Sequence, residues 1–243
     1  HTLRAIGSQD CLRLNNESFC IYIQRRLRLP IMLAKSNKEG HCPRCKSCGQ
    51  PKLDAHGHHT LTCKKRIWMR SRYWHDQIRD TIVEMCKAAG LMVQKEVLLH
   101  RVPGATSATL DSNMRVDCVT EDVVLEIATT FHKSTLSHRV PAHACSVSEL
   151  IKIKKYKPYA NDGLSIQPII VDDFGCFGNI ALQTFRWIAE CKQGTRNEQQ
   201  VFLTYWKHRV NTKHRLLKQE WKNGSETWGA CRPPKLLAAL GAE

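Results

Sequence analysis

The stretch RVDCVTEDVVLEIAT, residues 115–129, decides the fold. Two short runs rich in β-branched residues flank Glu121 and Asp122, which is the pattern of a β-hairpin with a two-residue turn. With Thr120 facing Val123, counting back sets Asp117 opposite Glu126. Side chains alternate along a strand, so Val116, Cys118, Leu125 and Ile127 are expected to share the apolar face and the two acids the other. Directly opposed residues have Cβ atoms about 4.5–5.5 Å apart, and like charges there oppose pairing. A divalent cation between them removes the conflict. Hard oxygen donors with open positions suit Mg²⁺ or Mn²⁺.

Working outward, Trp74, Ile78, Ile82, Met85 and Ala89 recur at helical spacing within 67–89, and Gly90 follows as a C-cap. LMVQKEVLL, 91–99, reads as a strand. On the other side, Ser146 and Glu149 have the spacing of a capping box and open the helix ELIKIKKY, which Pro158 and the Asp162-Gly163 turn close. Lys152, Lys155 and Tyr156 then share one face. A lysine beside the attacking water can orient it and neutralise charge on a pentavalent phosphate. A strand at 167–171 and a helix at 180–191 complete a mixed α/β domain spanning 67–191. Carboxylate pair plus lysine helix is the constellation of a hydrolytic nuclease, with Asp117 and Glu126 as metal ligands and Lys152, favoured over Lys155, at the water.

The flanks are different in kind. Residues 1–40 hold a short basic helix from Phe19 to Leu29. Residues 41–66 crowd four cysteines and four histidines among glycines and prolines, which points to a small zinc knuckle. Cys45, Cys48, His58 and Cys63 supply three thiolates and one imidazole, a closed tetrahedral set for Zn²⁺. Cys42 can replace Cys45 or Cys48, and His59 can replace His58. Residues 192–243 form a basic extension with one long helix at 201–221.

A net charge of +15 opposes compaction by self-repulsion and so fits an anionic partner. Nucleic acid is preferred to a membrane surface, because no apolar run approaches the roughly 18 residues a span needs. Arg70, Arg72 and His75 near the knuckle, and Lys213 and Arg215 in the last helix, are expected DNA contacts. Clustered rather than evenly spaced cysteines favour metal binding in a reducing compartment over a disulfide framework. The chain starts at His1, not Met, and is read as a fragment of something longer.

From Cys45 to Ala189 these landmarks resemble, in order, the restriction-like endonuclease of early-branching non-LTR retrotransposons, a branch of the PD-(D/E)xK superfamily. CKSCG with DAHGHHTLTC looks like its CCHC knuckle, RVDCV its metal-binding strand, LEIAT its second carboxylate strand, and QPIIVDDFG the strand and glycine turn that follow. SELIKIKKY is similar to its helix bearing an acid, two lysines and a tyrosine, here Glu149, Lys152, Lys155 and Tyr156. Glu96 resembles an acid that assists metal binding in related nucleases. The resemblance implies a restriction-endonuclease-like mixed sheet flanked by helices and a nuclear enzyme. It would nick chromosomal DNA so that a reverse transcriptase domain and element RNA on the same polyprotein can use the 3′ end. Val116 stands where the family has proline, Trp74-His75 where it has Arg-His, and Glu126 where it has aspartate. Two alternatives remain open: a nucleic-acid-binding module with a decayed nuclease fold, and a stand-alone repair or recombination nuclease.

Overall fold

The computed structural model describes residues 74–105, 113–121, 123–130, 143–159, 164–172 and 175–227, with side chains to Lys213, and also Cys20, Ile23, Gln24, Cys48 and Cys63. The helical spacing after Trp74 produces α1, His75–Ala88, which buries Ile78, Ile82, Met85 and Cys86. It ends as expected at Gly90, whose φ of 88° suits a residue without a Cβ. Leu91 N–H reaches back to the Cys86 carbonyl, and Gly90 N–H to that of Lys87, closing the last turn. Four strands follow: β1 (Gln94–Leu98), β2 (Arg115–Val119), β3 (Val123–Thr130) and β4 (Ser165–Asp172). They form one mixed sheet in the order β1-β2-β3-β4, antiparallel except for the parallel β3–β4 pair.

Parallel strands need a crossover, and α2 (His143–Tyr156) lies within it. Its start differs from the capping-box reading: the helix is already running at His143, so Ser146 is inside it. A 3-10 turn, Lys157–Tyr159, closes it at Pro158. Beyond β4 come α3 (Asn179–Cys191) and the long α4 (Arg196–Thr227).

Helices cover both faces of the sheet. On one, Cys118, Leu125, Ile127, Ile169 and Val171 pack with α1, α3 and α4 in a single core. That core runs past residue 191, where the sequence ends the α/β unit, because Phe202, Leu203, Trp206 and Val210 belong to it. On the other face Val116 and Val124 pack with Leu99, Val102 and Tyr156 of α2. Val116 therefore does not share a face with Cys118 as strict alternation requires. No described helix is long and apolar enough to cross a membrane.

Candidate active site

The β2–β3 hairpin has the register expected from its turn, with Cys118 opposite Leu125 and Val119 opposite Val124. Thr120 N–H donates to the Val123 carbonyl at 2.9 Å, closing the hairpin between β2 and β3. One step further along, Asp117 meets Glu126, and side chains replace the backbone ladder. Asp117 N–H donates to Glu126 Oε1 at 3.2 Å, while Ile127 N–H donates to Asp117 Oδ2 at 2.7 Å. Each acid thus accepts from the strand that carries the other or lies next to it, and both are fixed where β2 leaves its alternating pattern.

Glu126 is 2% exposed. Its neighbours Leu125 and Ile127 face the larger core, so Glu126 turns toward α2, as Val124 does. There Lys152 Nζ donates to Glu126 Oε2 at 2.8 Å, and the Tyr156 hydroxyl lies within hydrogen-bonding reach of the same carboxylate. Burial raises the Glu126 pKa above the usual carboxylate value; the Lys152 ammonium opposes the rise and the Asp117 charge adds to it. Tyr156 is itself 1% exposed, and burial beside Glu126 pushes its hydroxyl pKa up.

The two lysines separate. Lys152 contacts the carboxylate; exposed Lys155 instead donates to the Tyr156 hydroxyl at 3.4 Å and lies 4.7 Å from the centre of its ring. The sequence leaves the choice between the two lysines open with Lys152 favoured, and in the structure it is Lys152 that contacts Glu126. Because Tyr156 points inward, the residues one and two turns before it, Lys152 and Glu149, follow it. Lys155 is rotated away.

Glu96 is also diverted. It lies between the paired residues Lys95 and Val97, opposite Asp117 in the β1–β2 register, which would complete a row of three acids. Its backbone is left-handed, with φ of 53°, a conformation that costs about 1 kcal/mol or more outside glycine. Its carboxylate bonds Arg79 Nη1 of α1. Arg79 also holds Asp76 and Asp80, and nothing in the sequence pattern announces this cluster.

His75, expected to contact DNA, sets Nε2 2.9 Å from Asp117 Oδ1. Burial disfavours its charge, but the hydrogen bonds and charges of Asp117 and Asp76 outweigh burial and raise its pKa. Lys213 is half-buried on α4. Arg70 and Arg72, the Arg215 side chain, and the zinc candidates Cys45, His58, Cys42 and His59 lie outside the described residues. Cys48 is half-buried and Cys63 buried.

Glu149, read from the sequence as half of a capping box on its own helix, has a different occupation. It is 2% exposed, and its Oε1 accepts Ala181 N–H at 3.1 Å. The Asn179 and Ile180 N–H groups also bond it. It caps α3, which begins after Gly178 and has no side-chain cap of its own. A Cβ on Gly178 would stand 2.0 Å from Glu149 Oε1, so any larger residue there must displace that carboxylate.

Among the described residues no three His, Cys, Asp or Glu side chains form a ready-made metal cage. Mg²⁺, however, keeps several waters and is commonly held by one or two carboxylates. Asp117 and Glu126 fit that donor set: two interacting carboxylates, one buried, with Lys152 of α2 paired to Glu126. No family model matches the chain, and neither does any curated protein.

Proposed function

We propose that this chain is a divalent-metal-dependent DNA endonuclease of restriction-endonuclease-like fold. It nicks target DNA to prime reverse transcription by a reverse transcriptase and element RNA of the same retrotransposon polyprotein, in the nucleus. The observation that carries the reading is the set Asp117, Glu126 and Lys152, gathered where β2 and β3 exchange side-chain hydrogen bonds. Mg²⁺ or Mn²⁺ held by the two acids supplies Lewis-acid polarisation of the phosphate and acidifies water.

The chain's own groups do the rest. Ile127 N–H fixes Asp117 Oδ2, and Oδ1 faces His75 Nε2. Tyr156 and Lys152 orient the buried Glu126 carboxylate. The Lys152 ammonium donates a hydrogen bond to the attacking water and offsets the charge growing on the phosphoryl oxygens. Zn²⁺ held by Cys45, Cys48, His58 and Cys63 braces the knuckle without entering the chemistry. Surplus positive charge, Lys213 and Arg215 included, binds phosphates without sequence preference.

Asp117→Ala should abolish nicking of supercoiled plasmid in Mg²⁺ while leaving DNA affinity near wild type. Retained cleavage would refute the assignment. A binding module with a decayed nuclease fold is the second reading, favoured by Val116 and Trp74 at positions where the resembled family has proline and arginine. Tight DNA binding with no nicking by the wild-type chain in either metal would select it.

A further inference from the structure

The helix that carries Lys152 has a second side. Its inward residues are Cys145, Glu149 and Tyr156, all buried. At about 100° per residue, Val147, Leu150, Ile151 and Lys154 form the side turned away from the sheet. Val147, Leu150 and Ile151 are 43%, 65% and 63% exposed. Single apolar side chains at a surface are ordinary. Here, however, three of the five large exposed hydrophobic residues among those described fall on little more than one turn of α2. The other helices turn polar groups outward: Glu84 and Lys87 on α1, Gln183, Arg186 and Glu190 on α3. On α4, Val201 stands among exposed polar residues.

Spacing and charge say what would cover this face. Steps of three and four residues along α2 make a ridge that fits the groove of another helix. Its rim has one sign. Among the exposed residues from 143 to 158 the only acid-base charges of fixed sign are those of Lys154, Lys155 and Lys157, and the one acid of α2, Glu149, is buried against α3. Lys155 is engaged over the Tyr156 ring, which leaves Lys154 and Lys157 to meet an incoming group. Complementarity therefore asks for carboxylates opposite the C-terminal end of the ridge. A second copy of α2 would bring lysines instead. DNA would meet the lysines but gain nothing from the apolar ridge, and Glu126 lies on the sheet side of α2, away from it.

We propose that the outer face of α2 is a docking site for an acidic amphipathic helix of a partner protein. Val147, Leu150 and Ile151 take the apolar stripe of that helix, and Lys154 and Lys157 take its carboxylates. The face is separate from Asp117 and Glu126, so the assignment stands apart from the endonuclease reading.

The test is fluorescence anisotropy of the full chain with a labelled synthetic peptide, leucines at i, i+3, i+4 and i+7 and glutamates on its other faces. A scrambled peptide of the same composition separates docking from attraction to the net charge of +15. The ordered peptide should bind saturably, and the scrambled one about tenfold more weakly or worse. Leu150→Gln and Ile151→Gln should each weaken the ordered peptide about tenfold, and Lys154→Gln less. These side chains are exposed, so the thermal midpoint of each variant should match wild type. No binding of the ordered peptide, equal binding of the scrambled one, or undiminished binding by Leu150→Gln and Ile151→Gln would overturn the proposal. So would a wild-type dimer in sedimentation that Leu150→Gln dissociates, which assigns the face to a second copy. A matching loss of duplex DNA affinity in both variants would assign it to nucleic acid instead.

Discussion

Glu126 and Glu149 are equally buried, at 2% exposure, and one helix turn governs the surroundings of both, yet their negative charges are met in opposite ways. Glu126 faces a side-chain ammonium, Lys152, and a second acid, Asp117. Glu149 faces the backbone N–H groups at the start of α3. Burial raises both pKa values. An N-terminal helix dipole is fixed and cannot be displaced, so Glu149 is committed to holding α2 against α3. A lysine side chain can rotate. Its ammonium can leave the carboxylate for a phosphate or a water when a stronger cation arrives. The comparison teaches that burial alone does not mark a reactive acid: what matters is whether its counter-charge can move.

The largest effect that would break this distinction comes from removing the movable charge. Lys152→Met should lower nicking on the order of 10²–10³-fold, measured as single-turnover plasmid relaxation in Mg²⁺, while Lys155→Met stays within a few-fold of wild type. Equal losses would mean that the two lysines share the role. Next comes the fixed partner. Gly178→Ala drives a Cβ into the Glu149 carboxylate and should destabilise the fold by about 2–3 kcal/mol, seen as a fall in midpoint on thermal unfolding. In a Glu149→Ala background the same change should cost much less, since the two sites are in contact. Additive costs would separate Gly178 from Glu149.

The smallest effect concerns pH. A buried glutamate with a raised pKa contributes stability that is fully present below the ordinary glutamate value of about 4.3. That contribution is lost as pH rises through the folded-state value. Glu149→Gln should therefore flatten the decline of melting temperature with rising pH over that window without changing the nicking rate at neutral pH. Glu126→Gln should flatten the slope as well and also suppress nicking. If Glu149→Gln impaired the chemistry as strongly, the two acids would not be distinct in role.

Much of this was legible in residues 115–129. The two-residue period of a strand and a short turn leave one register, and it brings Asp117 to Glu126. The same arithmetic failed for Val116, because the alternation breaks where side chains replace ladder bonds. A helix advances in steps that leave Lys152 and Lys155 on one broad face, so only the burial of Tyr156 selects between them. The function of Glu149 was hidden by distance: its partner Ala181 is 32 residues away, while the local Ser146–Glu149 spacing suggested a cap on its own helix. Glu96 was unreadable because nothing local forecasts a left-handed glutamate. The contact between His75 and Asp117 likewise joins elements that no sequence period connects.

The ion pair between Arg209 of α4 and Glu84 of α1 spans 125 residues, and beside it Trp206 and Val210 cover the apolar surface to which Ile78 and Ile82 belong. A nascent chain emerging from the ribosome would have its whole sheet yet show that oily surface to the cytosol until α4 is made. Such long-range closure is intrinsically slow and aggregation-exposed. A product that stops before Val201 is thus expected to be a chaperone client, even though every proposed metal ligand precedes that point.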